Sequence, residues 1–291
     1  MSRNSNRLTG GGGATEQQDT TPPQQNIQNN NDFGFVVPTE FVELPSKGTF
    51  YSPGHPLHNQ ETIEVKHMTA KEEDMLTSRS LLRKGVALDR VIDSIIVDNR
   101  IDSEELLVGD RNAIIVSARI SAYGSDYTTK VTCPNCSTQQ EHTFDLNESS
   151  IYNQDNEDDP FDGLVEQQED GTFVVQLPRS ELNVGFKILT GKDEKQVASG
   201  LEHDKKTKGS YEKNVTRQLK HIVTSVNGNT TSAAINYVAD NLPSIDARYL
   251  RQAYKSVNPN IDLTQHFECI ECNYEANMEV PLTADFFWPD R

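Results

Sequence analysis

All four cysteines of this 291-residue chain fall in two Cys-x-x-Cys pairs, Cys133-Pro134-Asn135-Cys136 and Cys269-Ile270-Glu271-Cys272. Each pair follows an extended stretch (Tyr127 to Val131; Ile261 to Phe267). Each precedes alternating residues that read as a second strand (Gln139 to Leu146; Tyr274 to Val280). A tight turn between two strands, with both thiolates aimed at one point, is a zinc knuckle. Two knuckles supply the four sulfurs of a closed tetrahedral site, and a closed site makes the zinc structural rather than catalytic. Competing readings of the same thiols are a disulfide, a redox dithiol or plain buried thiols. A redox pair caps a helix N-terminus, but the residues after Cys136 and Cys272 lack helical patterning. A secreted disulfide scaffold is shorter, richer in cysteine and led by a signal peptide.

The separation of the pairs needs an explanation, because compact zinc ribbons keep theirs within about 15–20 residues. Here 132 residues lie between Cys136 and Cys269. A duplication accounts for the gap. Asp110 lies 23 residues before Cys133, and Asp246 lies 23 residues before Cys269. Each aspartate is placed to cap an apolar helix, carrying Ala113, Ile114 and Ala118 in one case and Tyr249, Leu250 and Tyr254 in the other. Upstream, Lys66, Thr69, Lys71 and Glu73 recur as Lys187, Thr190, Lys192 and Glu194. Each block reads as a strand running into a Thr-capped helix with an acid three positions later, as a capping box requires. The expected fold is therefore α+β: two tandem repeats of a strand–helices–zinc-knuckle unit behind a disordered N-terminal tail. The knuckles then either share one metal across a pseudo-twofold axis or form two sites, each completed by ligands such as His142 or His266.

The rest of the chain divides around these units. Residues 1–31, rich in Asn, Gln, Ser and Gly with glycines at 10–13, form the tail. Residues 32–150 hold an apolar arm and the first unit, in which a helix runs from Thr69 to about Arg83 and stops at Gly85. Leu88, Val91, Ile92, Ile95 and Ile96 form a helical stripe. Residues 151–172 are an acidic linker without the glycine and terminal glutamate of a calcium loop. Residues 173–291 are the second unit, with Val215, Leu219, Ile222 and Val223 on one helical face and an aromatic end, Phe286-Phe287-Trp288. The flexible arm and that aromatic end are candidate contacts with neighbouring subunits.

Bulk properties exclude several classes of function. A net charge of −17, and Glu141, Glu268, Glu271, Glu275 and Glu279 around the knuckles, argue against a nucleic-acid-binding zinc ribbon. Leu44-Pro-Ser-Lys-Gly48 lacks the spacing of a phosphate loop. There is no metal-hydrolase helix motif or nucleophile elbow, so a hydrolase is disfavoured and no catalytic residue is assigned. No apolar run is long enough to span a membrane, and no signal core opens the sequence. Free paired thiols fit synthesis in a reducing cytoplasm.

The run from Leu44-Pro-Ser-Lys-Gly through Met68-Thr-Ala-Lys-Glu-Glu to the first knuckle resembles the baseplate hub subunit family of T-even-type contractile-tailed bacteriophages. Ser225-Val-Asn-Gly, Asp246-Ala-Arg-Tyr-Leu-Arg, Phe267-Glu-Cys-Ile-Glu-Cys and Phe286-Phe-Trp-Pro extend the resemblance over residues 33–291. It implies a non-enzymatic structural or assembly protein of the virion tail baseplate, made in the bacterial host cytoplasm. The implied partners are other hub and tail proteins. The zinc site comes from cysteine spacing, not from the resemblance.

Overall fold

The computed structural model describes residues 34–152, 160–206, 213–281 and 284–287. The tail expected at 1–31 and Trp288 lie outside them. From Val37 onward the described residues form one compact unit.

The first half opens with a hairpin of β1 (Thr39–Glu43) and β2 (Thr62–Lys66), whose alternating residues put Val42, Ile63 and Val65 inward. Thr69 then starts α1 (Ala70–Thr77) with a complete capping box: Glu72 accepts from the Thr69 backbone N–H, and the Thr69 hydroxyl caps the first turn. The single helix expected to Arg83 is two, because Ser78 is extended (ψ 109°) and separates α1 from α2 (Arg79–Lys84). Gly85, at φ 69°, closes α2 in the left-handed conformation. In α3 (Ala87–Ile95) the stripe of Val91, Ile92 and Ile95 is buried, but Ile96 leaves the helix and bridges Val65. The long helix α4 (Val108–Tyr123) leads into the first knuckle hairpin, β3 (Asp126–Thr132) and β4 (Gln139–Asp145), followed by the short strand β5 (Ser150–Tyr152).

The stretch expected as a solvated linker contributes to the fold. Phe161 is buried against Tyr249, and β6 (Val165–Gln167) is the edge of a four-stranded antiparallel sheet. That sheet runs β6, β7 (Phe173–Gln176), β8 (Asn183–Phe186) and β9 (Val223–Val226). Apolar Phe161 and Val165 inside the acidic run are what tie it down. At Gly185 in β8 a Cβ would lie 2.3 Å from Ser225 Oγ, so a larger residue there would force that hydroxyl to turn away. After β8, Thr190 and Asp193 form the corresponding cap of α5 (Gly191–Lys206). Helix α6 (Asn214–Ile222) ends where Val223, expected on its apolar face, turns into β9 and pairs with Phe186. Helices α7 (Ser232–Asn241) and α8 (Ser244–Val257) follow. The short β10 (Asn260–Asp262) pairs back with β5, and β11 (Thr264–Glu268) and β12 (Glu275–Glu279) form the second knuckle hairpin.

The two aspartates read as helix caps have another role. Asp110 and Asp246 sit inside the first turns of α4 and α8, fully buried, and neither helix has a side-chain cap. Asp110 accepts from the Ser46 backbone N–H (2.9 Å), the Ser46 hydroxyl (2.6 Å) and the Tyr51 hydroxyl (2.8 Å). Asp246 accepts from the backbone N–H groups of Arg179 and Ser180, both at 2.9 Å. Each carboxylate thus holds the turn after a Leu-Pro that ends a strand, Leu44-Pro45 after β1 and Leu177-Pro178 after β7. Burial pushes the pKa of Asp110 up, and the hydrogen bonds from Ser46 and Tyr51 oppose that only in part.

The halves share one continuous hydrophobic core. At their junction Gly109 of α4 meets the Pro259 carbonyl so closely that a Cβ would lie 2.0 Å from it. Arg111 pairs with Asp89 (2.9 Å) and Glu194 (3.1 Å), and Lys195 with Asp89 (2.7 Å) and Glu104 (2.8 Å). The C-terminal aromatic end packs back onto its own domain: Phe286 and Phe287 are buried, and Phe286 meets Tyr127 edge-on at 5.0 Å.

Candidate metal centre

Each knuckle is built the same way. The backbone N–H of the first cysteine donates across the turn, Cys133 to the Thr138 carbonyl and Cys269 to that of Tyr274, both at 2.9 Å. The residue after the second cysteine donates back to the first cysteine's carbonyl, Ser137 to Cys133 and Asn273 to Cys269, again at 2.9 Å. Both closing residues are left-handed (φ 61° and 51°), a conformation that Asn tolerates better than most non-glycine residues. This winding turns both thiols of a pair to the same side.

The two hairpins then meet. Cys133 Sγ lies 3.7 Å from Cys272 Sγ, and Cys136 Sγ lies 3.6 Å from Cys269 Sγ. All four sulfurs lie within 4.8 Å of one another. A tetrahedron with Zn–S bonds of ~2.3 Å has edges of about 3.8 Å, so the spacing fits a tetrathiolate ion. It is far longer than a disulfide bond of ~2.05 Å, and all four cysteines are free. Four close cysteines of this kind can hold a metal ion. In each pair the first cysteine is buried and the second is more open. The close contacts join a buried sulfur of one knuckle to an outer sulfur of the other. Hydrogen bonding from Thr138 brings the Cys136 thiol down to about 6, whereas burial pushes Cys269 up to about 11. A cation at the centre favours the thiolate at every position.

Neither histidine considered as an extra ligand joins the cluster. His142 is packed edge-on between Phe144 (4.6 Å) and Phe267 (5.4 Å), and His266 is exposed on β11. Among the described residues the four cysteines form a single group.

Three supporting residues escaped the sequence reading. Gln140 of β4 is buried and bridges to the other knuckle: its amide donates to the Glu268 carbonyl (2.9 Å) and its oxygen accepts from the Ile270 N–H (3.0 Å). Gln265 of β11 returns the contact, donating to the Asp145 carbonyl (2.6 Å) and accepting from the Asp145 N–H (3.0 Å). A glutamine in the inward phase of a period-2 strand was the available signal. Arg119 of α4, fully buried, donates to the carbonyls of Phe286 (2.8 Å), Gly124 (2.7 Å) and Asp126 (3.1 Å). Its guanidinium lies over the rings of Tyr123, Tyr127 and Phe286. It therefore ties the start of the first knuckle hairpin to the chain's aromatic end.

The molecule is a mixed helix-and-sheet protein whose two separated hairpins converge on a four-cysteine cluster. The family model described as T4 bacteriophage base plate protein matches residues 37–288, and the chain belongs to that family. No curated protein and no solved structure matches it. Membership implies a structural role in the virion tail with other tail and baseplate proteins as partners. No described helix is long and apolar enough to cross a membrane.

Proposed function

We propose that this chain is a structural subunit of the baseplate hub whose two knuckles share one structural zinc ion held by Cys133, Cys136, Cys269 and Cys272. The observation that carries the reading is the sulfur cluster itself: four thiols at tetrahedral spacing, drawn from two hairpins more than a hundred residues apart in the chain. A complete thiolate shell leaves the ion no open position for a substrate, in keeping with a non-enzymatic part. The hub, rather than the baseplate at large, is favoured by the sequence strings around Leu44, Met68, Asp246 and Phe286.

We infer further that the two halves descend from one duplicated unit, divided as 32–150 and 173–291 around the segment 151–172. Support comes from the matched knuckles, the two Thr-capped helices and the two buried aspartates that hold Leu-Pro turns. Zinc binding then locks a contact that the glutamines have already aligned. The ion adds its binding free energy to folding, on the order of 10 kcal/mol for structural zinc sites. Such a staple suits a part that carries mechanical load in a contractile tail.

The test has two arms. Purified tails digested for mass spectrometry should contain this chain in fixed stoichiometry to other hub proteins; its absence from tails overturns the baseplate role. Stripping metal with a chelator should lower the melting temperature and zinc should restore it; a melt indifferent to both overturns the zinc.

A further inference from the structure

Among the described residues the second knuckle hairpin has a free edge: in the two-stranded sheet of β11 and β12, β12 pairs with β11 alone. Val280 donates to Leu263 and Cys269 to Tyr274 across the hairpin, so the inward backbone groups belong to residues 274, 276, 278 and 280. Those of Glu275, Asn277 and Glu279 therefore point outward, and none has a partner among the described residues. The three side chains are exposed as well.

The charges on this hairpin are set against its own stability. Glu268 lies directly opposite Glu275, a like-charge pair that weakens a hairpin. The first knuckle hairpin differs at its equivalent face, where Lys130 faces Glu141 and the Thr128 and Thr143 hydroxyls bond at 2.7 Å. At the tip beside the uncompensated glutamates, Ile270 is 73% exposed and Tyr274 38%. Gln140 holds the Ile270 backbone in place, so the apolar side chain projects from a fixed support.

We propose that the β12 edge is a docking site for an extended, lysine- or arginine-bearing segment of another baseplate protein, which adds as a third strand to the second knuckle hairpin. The segment's backbone pairs with Glu275, Asn277 and Glu279, as in strand addition to an open edge. Its basic residues recur four apart and meet Glu275 and Glu279, neutralising the repulsion that the free hairpin carries. Ile270 and Tyr274 anchor the end of the strand in an apolar pocket of the partner. This inference rests on the baseplate reading above.

The test replaces Glu275 and Glu279 with lysine in the infecting phage and measures incorporation of the chain into purified tails. Glu275→Lys places an opposite charge across from Glu268, so the isolated variant should melt at the wild-type temperature or above and keep its metal. Incorporation should nevertheless fall at least tenfold, and second-site revertants should exchange a basic for an acidic residue in one extended segment of a neighbour. Wild-type incorporation of the double variant would overturn the docking site. Absence of the wild-type chain from tails would instead overturn the underlying baseplate reading. An incorporation defect with a lowered melt would attribute the glutamates to folding and also overturn the proposal.

Discussion

Cys133 Sγ stands 3.7 Å from Cys272 Sγ although 139 residues separate the two in sequence. The reciprocal pair, Cys136 and Cys269, is 133 residues apart and 3.6 Å across. Each knuckle contributes one buried and one outer sulfur, and each buried sulfur faces the other knuckle's outer one. Cys133→Ser and Cys269→Ser each remove a buried ligand and leave three thiols to hold the ion. Losing even about a third of the ~10 kcal/mol that a structural zinc adds to folding, at ~2–4 °C per kcal/mol, should lower the melting temperature by about 10 °C. A melt within 2 °C or so of wild type would mean that the cluster adds little to stability.

Gln140 and Gln265 clamp the hairpins without touching the metal site. Gln140→Ala leaves the Glu268 carbonyl and the Ile270 N–H without their partner, at a cost of about 1–3 kcal/mol. It should also weaken zinc binding by roughly 10- to 100-fold, as loss of an outer support does at other metal sites. Competition with a chromogenic chelator measures this; unchanged affinity would assign the clamp to stability alone.

The buried aspartates make a graded pair. Asp110→Ala strands three donors, two of them on buried Ser46, whereas Asp246→Ala strands two backbone donors on more open residues. At about 1–3 kcal/mol for each fully buried group, Asp110→Ala should be the more damaging in urea denaturation. Equal losses would contradict this ordering.

The helix caps predict an acid limb. Burial raises the pKa of Glu72, but hydrogen bonds from Ser94 and Thr69 outweigh it and hold the carboxyl below its ordinary value. Asp193 is likewise lowered, with burial opposed by Lys187 and Thr190. A depressed folded pKa contributes stability above the unfolded value, ordinarily 4.5 for Glu and 3.8 for Asp, and loses it as pH falls through the folded value. Glu72→Gln keeps a capping-box side chain but turns charge-assisted hydrogen bonds into neutral ones, at a cost of about 1 kcal/mol at pH 7. Its difference from wild type should shrink as pH falls below 4.5. Comparing variant with wild type removes the acid sensitivity of the thiolates, which both share.

Arg119 binds the chain's end through the Phe286 carbonyl. Truncation after residue 283 removes two buried phenylalanines, each worth roughly 1.5–3 kcal/mol, and leaves a buried guanidinium short of an acceptor. The shortened chain should melt at least 5 °C lower, at ~2–4 °C per kcal/mol. A truncated chain as stable as the full one would show the end to be dispensable.

The knuckles were legible because their signals are local: paired thiols, period-2 alternation on both sides and a fixed two-residue spacing. The capping box at Thr69 and Glu72 was legible for the same reason. Asp110 and Asp246 were found by spacing but misread in role, since sequence gives no sign that a first-turn aspartate turns toward a distant Leu-Pro. The extended Ser78 that divides α1 from α2 left no Gly or Pro to mark it. Ile96 and Val223 continued a helical stripe by pattern, but pairing with β2 and β8 claims them. The glutamine clamps and Arg119 depend on contacts between segments more than a hundred residues apart, where local pattern carries no information.

The most direct test of the central claim is elemental analysis of the purified protein together with a titration of reactive thiols. One zinc per chain, with all four thiols protected until a chelator is added, is the predicted result. Four freely reacting thiols and no metal, or two zinc ions per chain, would contradict a single shared staple.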